Sequence, residues 1–232
     1  MQPGLIINAA AYTAVDKAES EPELAQRVNG TAPGMLAEEA QRLGARVVHY
    51  STDYVFDGTK AGAYDEDDAP NPINAYGSSK LVGERAVLAA GSRHLVVRTS
   101  WVYGPRGRNF YLTIANRAVR GEQLRVVDDQ RGVPTSSRFL AEMTMALVRR
   151  DASGLLHVVP SGSTSWYGFA REIVQLCGAR SAVDPITSAQ FPTPARRPAN
   201  SVLSNARAST ALGATLPDWR TLLLAVRESA RT

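Results

Sequence analysis

The sequence predicts a doubly wound α/β fold, in which helices cover both faces of a parallel sheet and a smaller C-terminal lobe follows. Apolar runs of strand length alternate with amphipathic stretches of helix length, which is the pattern of βαβ units. Polar side chains follow the apolar runs, where ligand groups lie in open parallel sheets. With 232 residues, 44% of them hydrophobic, the chain is long enough to bury a substantial core, as one domain or two small lobes.

The predicted elements follow from periodicity and from turn residues. The strand candidates are 5 to 10, 45 to 51, 94 to 102, 124 to 128 and 155 to 159. Helices are predicted at about 20 to 43, 74 to 90, 109 to 121, 137 to 150, 165 to 178 and 218 to 230. Asn74 precedes the second of these helices and is the expected N-cap. The stretch from Pro185 to Asn205 is rich in proline and is predicted to be a loop.

Charge and composition indicate a soluble protein without a nucleic-acid or membrane partner. The net charge is +4 and the isoelectric point is near 9.4, but the arginines are dispersed rather than clustered with aromatic residues. No run of 18 or more apolar residues and no secretion signal is found, so the cytoplasm is the predicted location.

Cysteine and histidine give no metal motif. The lone Cys177 lies on a predicted helix and is interpreted as a small core residue. His49, His94 and His157 each lie in an apolar strand run, and no His, Cys or carboxylate spacing suggests a ligand set, so no metal site is predicted.

Tyr76 and Lys80 form the most informative pair, because a helix places residues four apart on one face. An unperturbed tyrosine titrates near pH 10, and a neighbouring ammonium is expected to lower its pKa toward working pH. A tyrosine with such a pKa is suited to act as general acid in the reduction of a carbonyl group. The same spacing also occurs in exposed helix pairs without a function, so the pair alone leaves both interpretations open.

A hydroxyl at a strand end strengthens the catalytic interpretation. Thr52, Asp53 and Tyr54 follow the apolar run that begins at Arg46, which is predicted to be a buried parallel strand. A loop rich in Asp, Gly, Asn and Pro separates them from Tyr76. The threonine hydroxyl and the phenol are therefore expected to meet over one substrate oxygen.

Six stretches carry a resemblance to a known family. They are Asn8–Glu21, Ser51–Gly58, Tyr76–Lys80, Arg98–Gly104, Asp129–Thr135 and Arg197–Ser201. In content and order they resemble the extended short-chain dehydrogenases/reductases and, more narrowly, the dTDP-4-dehydrorhamnose reductases. The tyrosine and lysine element alone points only to the superfamily, whereas the alanine run and the strand-end blocks narrow it.

The resemblance implies a reaction and the roles of three residues. The reaction is the reduction of dTDP-4-dehydro-β-L-rhamnose (dTDP-4-dehydro-6-deoxy-L-mannose) to dTDP-L-rhamnose by hydride transfer from NADPH, or alternatively NADH. Tyr76 would protonate the sugar C4 oxygen, and Lys80 would keep the tyrosine acidic while bonding the nicotinamide ribose. Thr52 would donate a second hydrogen bond to the developing alkoxide.

Further contacts are implied in the same way. The cofactor would lie against Ala9, Ala10, Ala11 and Tyr12. The deoxysugar pocket would be lined by Asp53, Tyr54, Trp101, Asn109, Val133 and Pro134. Arg106 and Arg108 lie on a loop at the expected ligand rim, where guanidinium groups suit a diphosphate. Some family members use magnesium between subunits, but no residue here is assigned to it, and a monomer or a homodimer is expected.

The resemblance also implies a domain division and a departure from the family. Residues 1–107 would form a partial Rossmann-like nucleotide-binding domain, and 108–232 a substrate lobe with some elements returning to the sheet. No glycine-rich turn follows a strand in this sequence, so the sheet is expected to be incomplete at its N-terminal side. Leu5, Ile6 and Ile7 would then line an unpaired apolar edge. A truncated product or a misplaced start is hypothesised, with little NADPH consumption.

Two other functions share this fold. One is the non-catalytic regulatory subunit of methionine adenosyltransferase, which fits the lack of a glycine-rich turn, although Thr52, Tyr76 and Lys80 argue against it. The other is a nucleotide-sugar epimerase or dehydratase, but a dehydratase requires an acid and base pair after the strand-end threonine, which Asp53 and Tyr54 do not supply.

Overall fold

A four-stranded parallel sheet, with strand order β1-β2-β3-β8, forms the centre of the protein in the computed structural model, which describes residues 2–229. The strands are β1 (Leu5–Asn8), β2 (Arg46–Thr52), β3 (Leu95–Thr99), β4 (Val102–Tyr103), β5 (Leu124–Val127), β6 (Arg131–Gly132), β7 (Thr135–Ser136), β8 (Gly154–His157), β9 (Thr164–Ser165) and β10 (Val183–Ile186). The remaining strands form three two-stranded pairs, β4 with β7, β5 with β10 and β6 with β9.

The helices alternate with these strands along the chain. They are α1 (Val15–Ala18), α2 (Pro22–Gln26), α3 (Ala32–Arg42), α4 (Ala75–Ala90), α5 (Phe110–Val119), α6 (Ser137–Arg149), α7 (Trp166–Cys177), α8 (Ala206–Leu212) and α9 (Trp219–Ser229). A π-helical turn (Arg27–Thr31) joins α2 to α3, and 3₁₀ turns lie at Asp53–Val55 and Ser188–Gln190. No helix within 2–229 has both the length and the apolar content needed to cross a membrane.

Helices cover both faces of the central sheet, which confirms the predicted doubly wound architecture. Successive strand residues point to opposite faces. Val47 of β2 and Val96 of β3 pack with α3 and α4, whereas Val48 and Val97 pack with α6 and α8. These strands are buried on both sides, which explains why their sequences are continuous apolar runs rather than alternating ones.

A second core lies under β5 and β10. It is aromatic, and its largest members are Tyr103, Tyr111, Phe169 and Trp219, contributed by β4, α5, α7 and α9. This part of the chain returns to the central sheet, since β8 pairs in parallel with β3.

Most predicted elements are confirmed, with three differences. The helix predicted at 20 to 43 is interrupted by the π-helical turn, and the strand predicted at 94 to 102 is divided into β3 and β4. The sequence reasoning missed the short helices α1 and α8 and the two-residue strands β6, β7 and β9, which are too short to show a periodic pattern. It also missed β10, which extends to Ile186 into the predicted loop, because Pro185 ordinarily argues against a strand. Residue 230, the last of the final predicted helix, lies outside the described residues.

One outer strand of the sheet is β1, and the other is β8. Among the described residues β1 hydrogen-bonds to β2 alone, and Ile7 is 42% exposed. The expected apolar edge is therefore present in the structure.

A buried ion pair fixes helix α4 to the sheet. Arg98 of β3 donates to Glu84 of α4 through Nε at 2.9 Å and through Nη2 at 2.7 Å. The Ser51 hydroxyl of β2 donates to the same carboxylate at 2.5 Å. Both charged side chains are about 2% exposed, so neither is hydrated. The hydrogen bonds and the opposite charge of the partner replace the lost hydration of each.

We expect Arg98→Met to lower the free energy of unfolding by about 3 to 5 kcal/mol, because it leaves the Glu84 carboxylate buried and uncompensated. The double variant with Glu84→Leu should regain most of that loss, since no unpaired charge remains. Urea denaturation measures both effects.

The matched control is Arg138→Met. Arg138 pairs with Glu142 at 2.8 Å, but both side chains are more than half exposed. Its loss should change the free energy of unfolding by less than about 1 kcal/mol. Equal effects at the two sites would show that Arg98 does not stabilise α4 in this way.

Candidate active site

The start of α4 brings Tyr76 to the end of β2. Asn74 caps the helix, because its side chain accepts a hydrogen bond from the Gly77 N–H at 2.7 Å, as the sequence predicted. A Cβ at Gly77 would lie 2.1 Å from the Tyr54 carbonyl oxygen. Only glycine therefore lets the first turn of α4 approach the 3₁₀ turn after β2.

Tyr76 lies beside Thr52 and Tyr54. The Tyr76 and Tyr54 rings meet edge to face with centroids 6.0 Å apart. Burial raises the pKa of Tyr76 to about 12, and the hydrogen bond with Thr52 opposes this shift while the Asp53 charge adds to it. The direction is opposite to the sequence-based expectation. Burial, which the spacing of residues does not reveal, is the largest cause of the shift in the pKa of Tyr76.

Asp53 is a buried carboxyl group in the same turn. Its Oδ1 accepts from the Thr52 hydroxyl at 3.1 Å. Burial raises the pKa of Asp53 to about 7, and the Ser201 hydroxyl lies close enough to oppose this rise. The carboxyl group is therefore poised between its neutral and charged forms near physiological pH.

Lys80 contacts the backbone and a histidine of β2. Its Nζ donates to the Tyr50 carbonyl oxygen at 2.5 Å and lies 3.4 Å from His49 Nε2. No hydrogen bond joins it to Tyr76 in the described part of the chain. Burial lowers the pKa of Lys80 to about 8, while the Glu84 charge opposes this shift. One of its three N–H groups remains for another partner.

The side chain of Asn29 holds the loop after β1 in place. The Asn29 amide accepts from the Tyr12 N–H at 2.8 Å and donates to the Tyr12 carbonyl and to the Ser79 hydroxyl, both at 3.0 Å. Ser79 precedes Lys80, so the same amide ties this loop to the catalytic helix. Ala9 and Ala10 are exposed on the loop, and their small side chains leave its backbone accessible.

A cavity of about 350 Å³ opens beside this site. Its apolar wall includes Phe110, Ile114, Val126, Trp166 and Phe191, and its polar wall includes Asp16, Arg117, Arg125, Gln130 and Arg197. Arg197 donates to both carboxylate oxygens of Asp16 at 2.9 Å and also hydrogen-bonds to the Tyr54 phenol. The cavity is thus connected to the tyrosine pair through one guanidinium group.

Trp101 adopts a left-handed backbone with φ of 47°, which is unusual for a residue other than glycine. Its ring stacks on Trp166 with centroids 3.5 Å apart, and a Cβ at Gly132 would collide with it. The tryptophan therefore bridges the strand end and the cavity wall.

Three of the expected pocket residues make structural contacts. Asn109 caps α5, accepting from the Leu112 N–H at 3.0 Å and donating to the carbonyl groups of Gly104 and Arg106. Val133 is fully buried in a core cluster, and Pro134 is buried beside it in sequence. Arg106 and Arg108 line a separate surface depression with Asn109, not the cavity beside Tyr54.

The sequence reasoning gave no role to Asp16, Arg197, Trp166 or His49. Asp16 and Arg197 lie 181 positions apart, so no local spacing relates them. The available signal was the presence of both residues in stretches that carried the family resemblance. In the described residues no three His, Cys, Asp or Glu side chains gather as ligands for a metal.

Comparison with known proteins gives one family. The model of the RmlD substrate binding domain matches residues 1–231. A dTDP-4-dehydrorhamnose reductase of Burkholderia thailandensis is 47% identical over 236 aligned residues, which cover 94% of this chain and 79% of the relative.

Solved structures agree with this result. A dTDP-4-dehydrorhamnose reductase of Clostridium acetobutylicum superposes with a TM-score of 0.95 at 39% identity, covering 99% of this chain and 82% of that one. The enzyme of Bacillus anthracis, solved in complex with NADP, has a TM-score of 0.95 at 37% identity and covers 98% and 81%.

The pKa of Asp53 predicts a pH dependence of stability. Its folded value of about 7 exceeds the ordinary value of 3.8, so the neutral carboxyl stabilises the fold fully below pH 3.8, and this stabilisation is lost as the pH rises through 7. Asp53→Asn should not show this loss. Between pH 4 and pH 8, we expect the free energy of unfolding of the wild type to fall by about 3 to 5 kcal/mol more than that of Asp53→Asn.

Urea denaturation at both pH values measures this difference. Glu38→Gln, at an exposed position of α3, is the control and should follow the wild-type pH dependence. If Asp53→Asn also follows the wild type, the Asp53 carboxyl group does not carry the effect.

Proposed function

Since the chain belongs to the dTDP-4-dehydrorhamnose reductase family, which the RmlD substrate binding domain defines, we propose that it reduces dTDP-4-dehydro-β-L-rhamnose to dTDP-L-rhamnose. The nucleotide sugar loses its 4-keto group and gains a hydroxyl group. The reaction takes a hydride from a reduced nicotinamide and a proton from the protein.

The observation that carries this proposal is the meeting of Tyr76 and Thr52 at the end of β2, with Lys80 one helical turn further along α4. These are the groups that the reduction of a ketone requires. One group supplies a proton, one donates a hydrogen bond to the oxygen that gains charge, and one provides a nearby positive charge.

The pKa values suit this assignment. Because the pKa of Tyr76 is about 12, the phenol holds its proton at neutral pH and is in the form that protonates the C4 oxygen. Lys80, with a pKa of about 8, is mainly an ammonium at neutral pH and stabilises the phenolate that remains. Thr52 orients the phenol and would turn its single O–H, which donates to Asp53 in the structure, to the developing alkoxide.

The residues present fit the nicotinamide end of NADPH. Lys80 retains an N–H for a ribose hydroxyl, and the exposed backbone at Ala9 and Ala10 admits close approach, with Ala11 and Tyr12 continuing the loop. When bound, the cofactor supplies the hydride. We assign NADPH because the Bacillus anthracis relative was solved with NADP, with NADH as the alternative, and we assign no residue to the pyrophosphate.

The cavity beside Tyr54 fits the nucleotide of the substrate. Phe191 and Trp166 offer aromatic faces for a base, and Arg125 and Arg197 offer charge for a diphosphate. We place the sugar between this cavity and Tyr76, with Asp53, Tyr54 and Trp101 as its proposed contacts.

Other assignments remain proposals. We propose a nucleotide-binding unit at 1–107, a substrate lobe at 108–232, a cytoplasmic location, and a monomer or homodimer. Asn109, Val133 and Pro134 would act through packing and capping, and Mg²⁺ is assigned to no residue. The regulatory alternative is not favoured, because the named relatives are reductases.

We expect Tyr76→Phe to reduce turnover by about 100- to 10,000-fold, because the proton donor is lost, while the KM for the keto sugar stays near its normal value. NADPH consumption by the whole protein measures both parameters. The control is Tyr167→Phe, which removes a partly exposed hydroxyl group from α7 and should leave turnover unchanged. An unchanged rate for Tyr76→Phe would reject the proton-donor role.

We expect Phe191→Ala to weaken the affinity for dTDP by about 10-fold, because one aromatic face of the cavity is removed. Calorimetric titration with dTDP measures the change. Met35→Ala removes a side chain of similar exposure, 65% against 60% for Phe191, from α3 and is the matched control. Equal dissociation constants for both variants would mean that the base binds elsewhere.

A further inference from the structure

His49 lies between Lys80 and the loop after β1, and its ring contacts both sides. Its Nε2 lies 3.4 Å from Lys80 Nζ, and its Nδ1 lies 3.1 Å from Asn8 Nδ2. The other end of the Asn8 amide, Oδ1, accepts from the Ala10 N–H at 3.2 Å. Polar contacts therefore run without a break from the ammonium to the exposed Ala10 backbone.

The ring cannot accept a hydrogen bond on both sides. Burial and the charge of Lys80 lower the pKa of His49 to about 3, so the imidazole is neutral. A neutral imidazole has one N–H and one lone pair. When Lys80 is an ammonium it offers only donors, so the lone pair has to be on Nε2 and the N–H on Nδ1.

The Asn8 amide has to follow this choice. With the N–H on Nδ1, only Asn8 Oδ1 can accept from it, and the amide then turns its NH₂ toward Ala10, whose N–H loses its acceptor. With Lys80 neutral, the amine accepts from Nε2–H, Nδ1 accepts from Asn8 Nδ2, and Oδ1 keeps the Ala10 N–H. The two arrangements therefore differ at both ends of the chain of contacts.

We propose that His49 is a positioning residue that couples the protonation of Lys80 to the Asn8 amide, so that the ammonium form of Lys80 frees the Ala10 N–H for a ligand. The link rests on the proposed function, in which Lys80 and the Ala9 to Ala11 backbone face the same cofactor. His49 thereby joins the charge needed for catalysis to the backbone that binds the cofactor.

Several charged or titratable groups surround Lys80. His49 from β2 and Glu84 from α4 act on Lys80 directly, and Arg98 from β3 bonds Glu84. Tyr76 lies one helical turn before Lys80, and Asp53 acts on Tyr76 from the 3₁₀ turn. Glu84 is held by Arg98, and Tyr76 keeps its proton up to a pKa of about 12. Asp53, with a pKa of about 7, is thus the group that must be separated from Lys80 by experiment.

The test is the tautomer of His49, read from long-range proton–nitrogen correlation spectra of histidine-labelled protein between about pH 6 and pH 10. We expect a shift from Nδ1–H to Nε2–H as the pH rises, with its midpoint at the Lys80 pKa of about 8. The Ala10 amide should lose protection from exchange on the acidic side of the same midpoint.

Variants identify the group responsible. Lys80→Arg keeps its charge and should hold His49 as Nδ1–H throughout, whereas Lys80→Met should hold it as Nε2–H. Asp53→Asn should leave the midpoint in place. His94 is the internal control, because its Nδ1 accepts from the Val47 N–H at 3.1 Å, which fixes Nε2–H at every pH.

A single His49 tautomer across the range would overturn the proposal, as would a shift that persists in Lys80→Arg or disappears in Asp53→Asn. No turnover is measured, so this outcome is independent of the result for Tyr76→Phe. A constant His49 tautomer together with slow turnover of Tyr76→Phe would reject the coupling alone. A tautomer shift together with unchanged turnover of Tyr76→Phe would reject the proposed reaction alone.

Discussion

The buried pair of Glu84 and Arg98 is the interaction on which the site depends. A helix lying on a sheet through apolar contacts alone is free to rotate or slide slightly, because such contacts have no direction. The fork of Arg98 and the hydroxyl of Ser51 fix one carboxylate on α4 against two strands. Lys80 lies one turn before Glu84, so the same bonds determine that its ammonium faces the Tyr50 carbonyl of β2.

Exclusion of water then sets the protonation of the whole site. Burial raises the pKa values of Tyr76 and Asp53 and lowers those of Lys80 and His49, so every shift favours the neutral form. An environment that disfavours charge also disfavours a free alkoxide on a substrate. In the proposed reaction, proton delivery from Tyr76 therefore relieves the charge that hydride addition creates, and Lys80, which is mainly an ammonium at neutral pH, supplies a positive charge one helical turn further along α4.

Local patterns made the fold and the helix-borne pair predictable from the sequence. The strands are apolar runs, Asn74 is a cap, and Tyr76 and Lys80 are related by one helical turn. What could not be predicted depends on contacts distant in sequence or on burial. The bond between Asp16 and Arg197 spans 181 positions, and the pKa of Tyr76 rises because of burial that only the folded chain shows. That Asn109 caps α5 depends on where the helix begins, which the sequence alone places only approximately.

The C-terminal loop is tied to the cap of α4 through Asn74 and to α1 and the 3₁₀ turn through Arg197, which relates the cavity to the proposed proton donor. Asn74 caps α4 with its side-chain oxygen and donates from its nitrogen to the Arg196 carbonyl at 2.9 Å. The next residue, Arg197, bonds Asp16 through two nitrogens and contacts the Tyr54 phenol. A shift of this loop would therefore disturb the helix cap and the tyrosine pair together. The wall of the cavity and the start of α4 are held by the same few polar bonds, so the proposed substrate cavity and the proposed proton donor are positioned together.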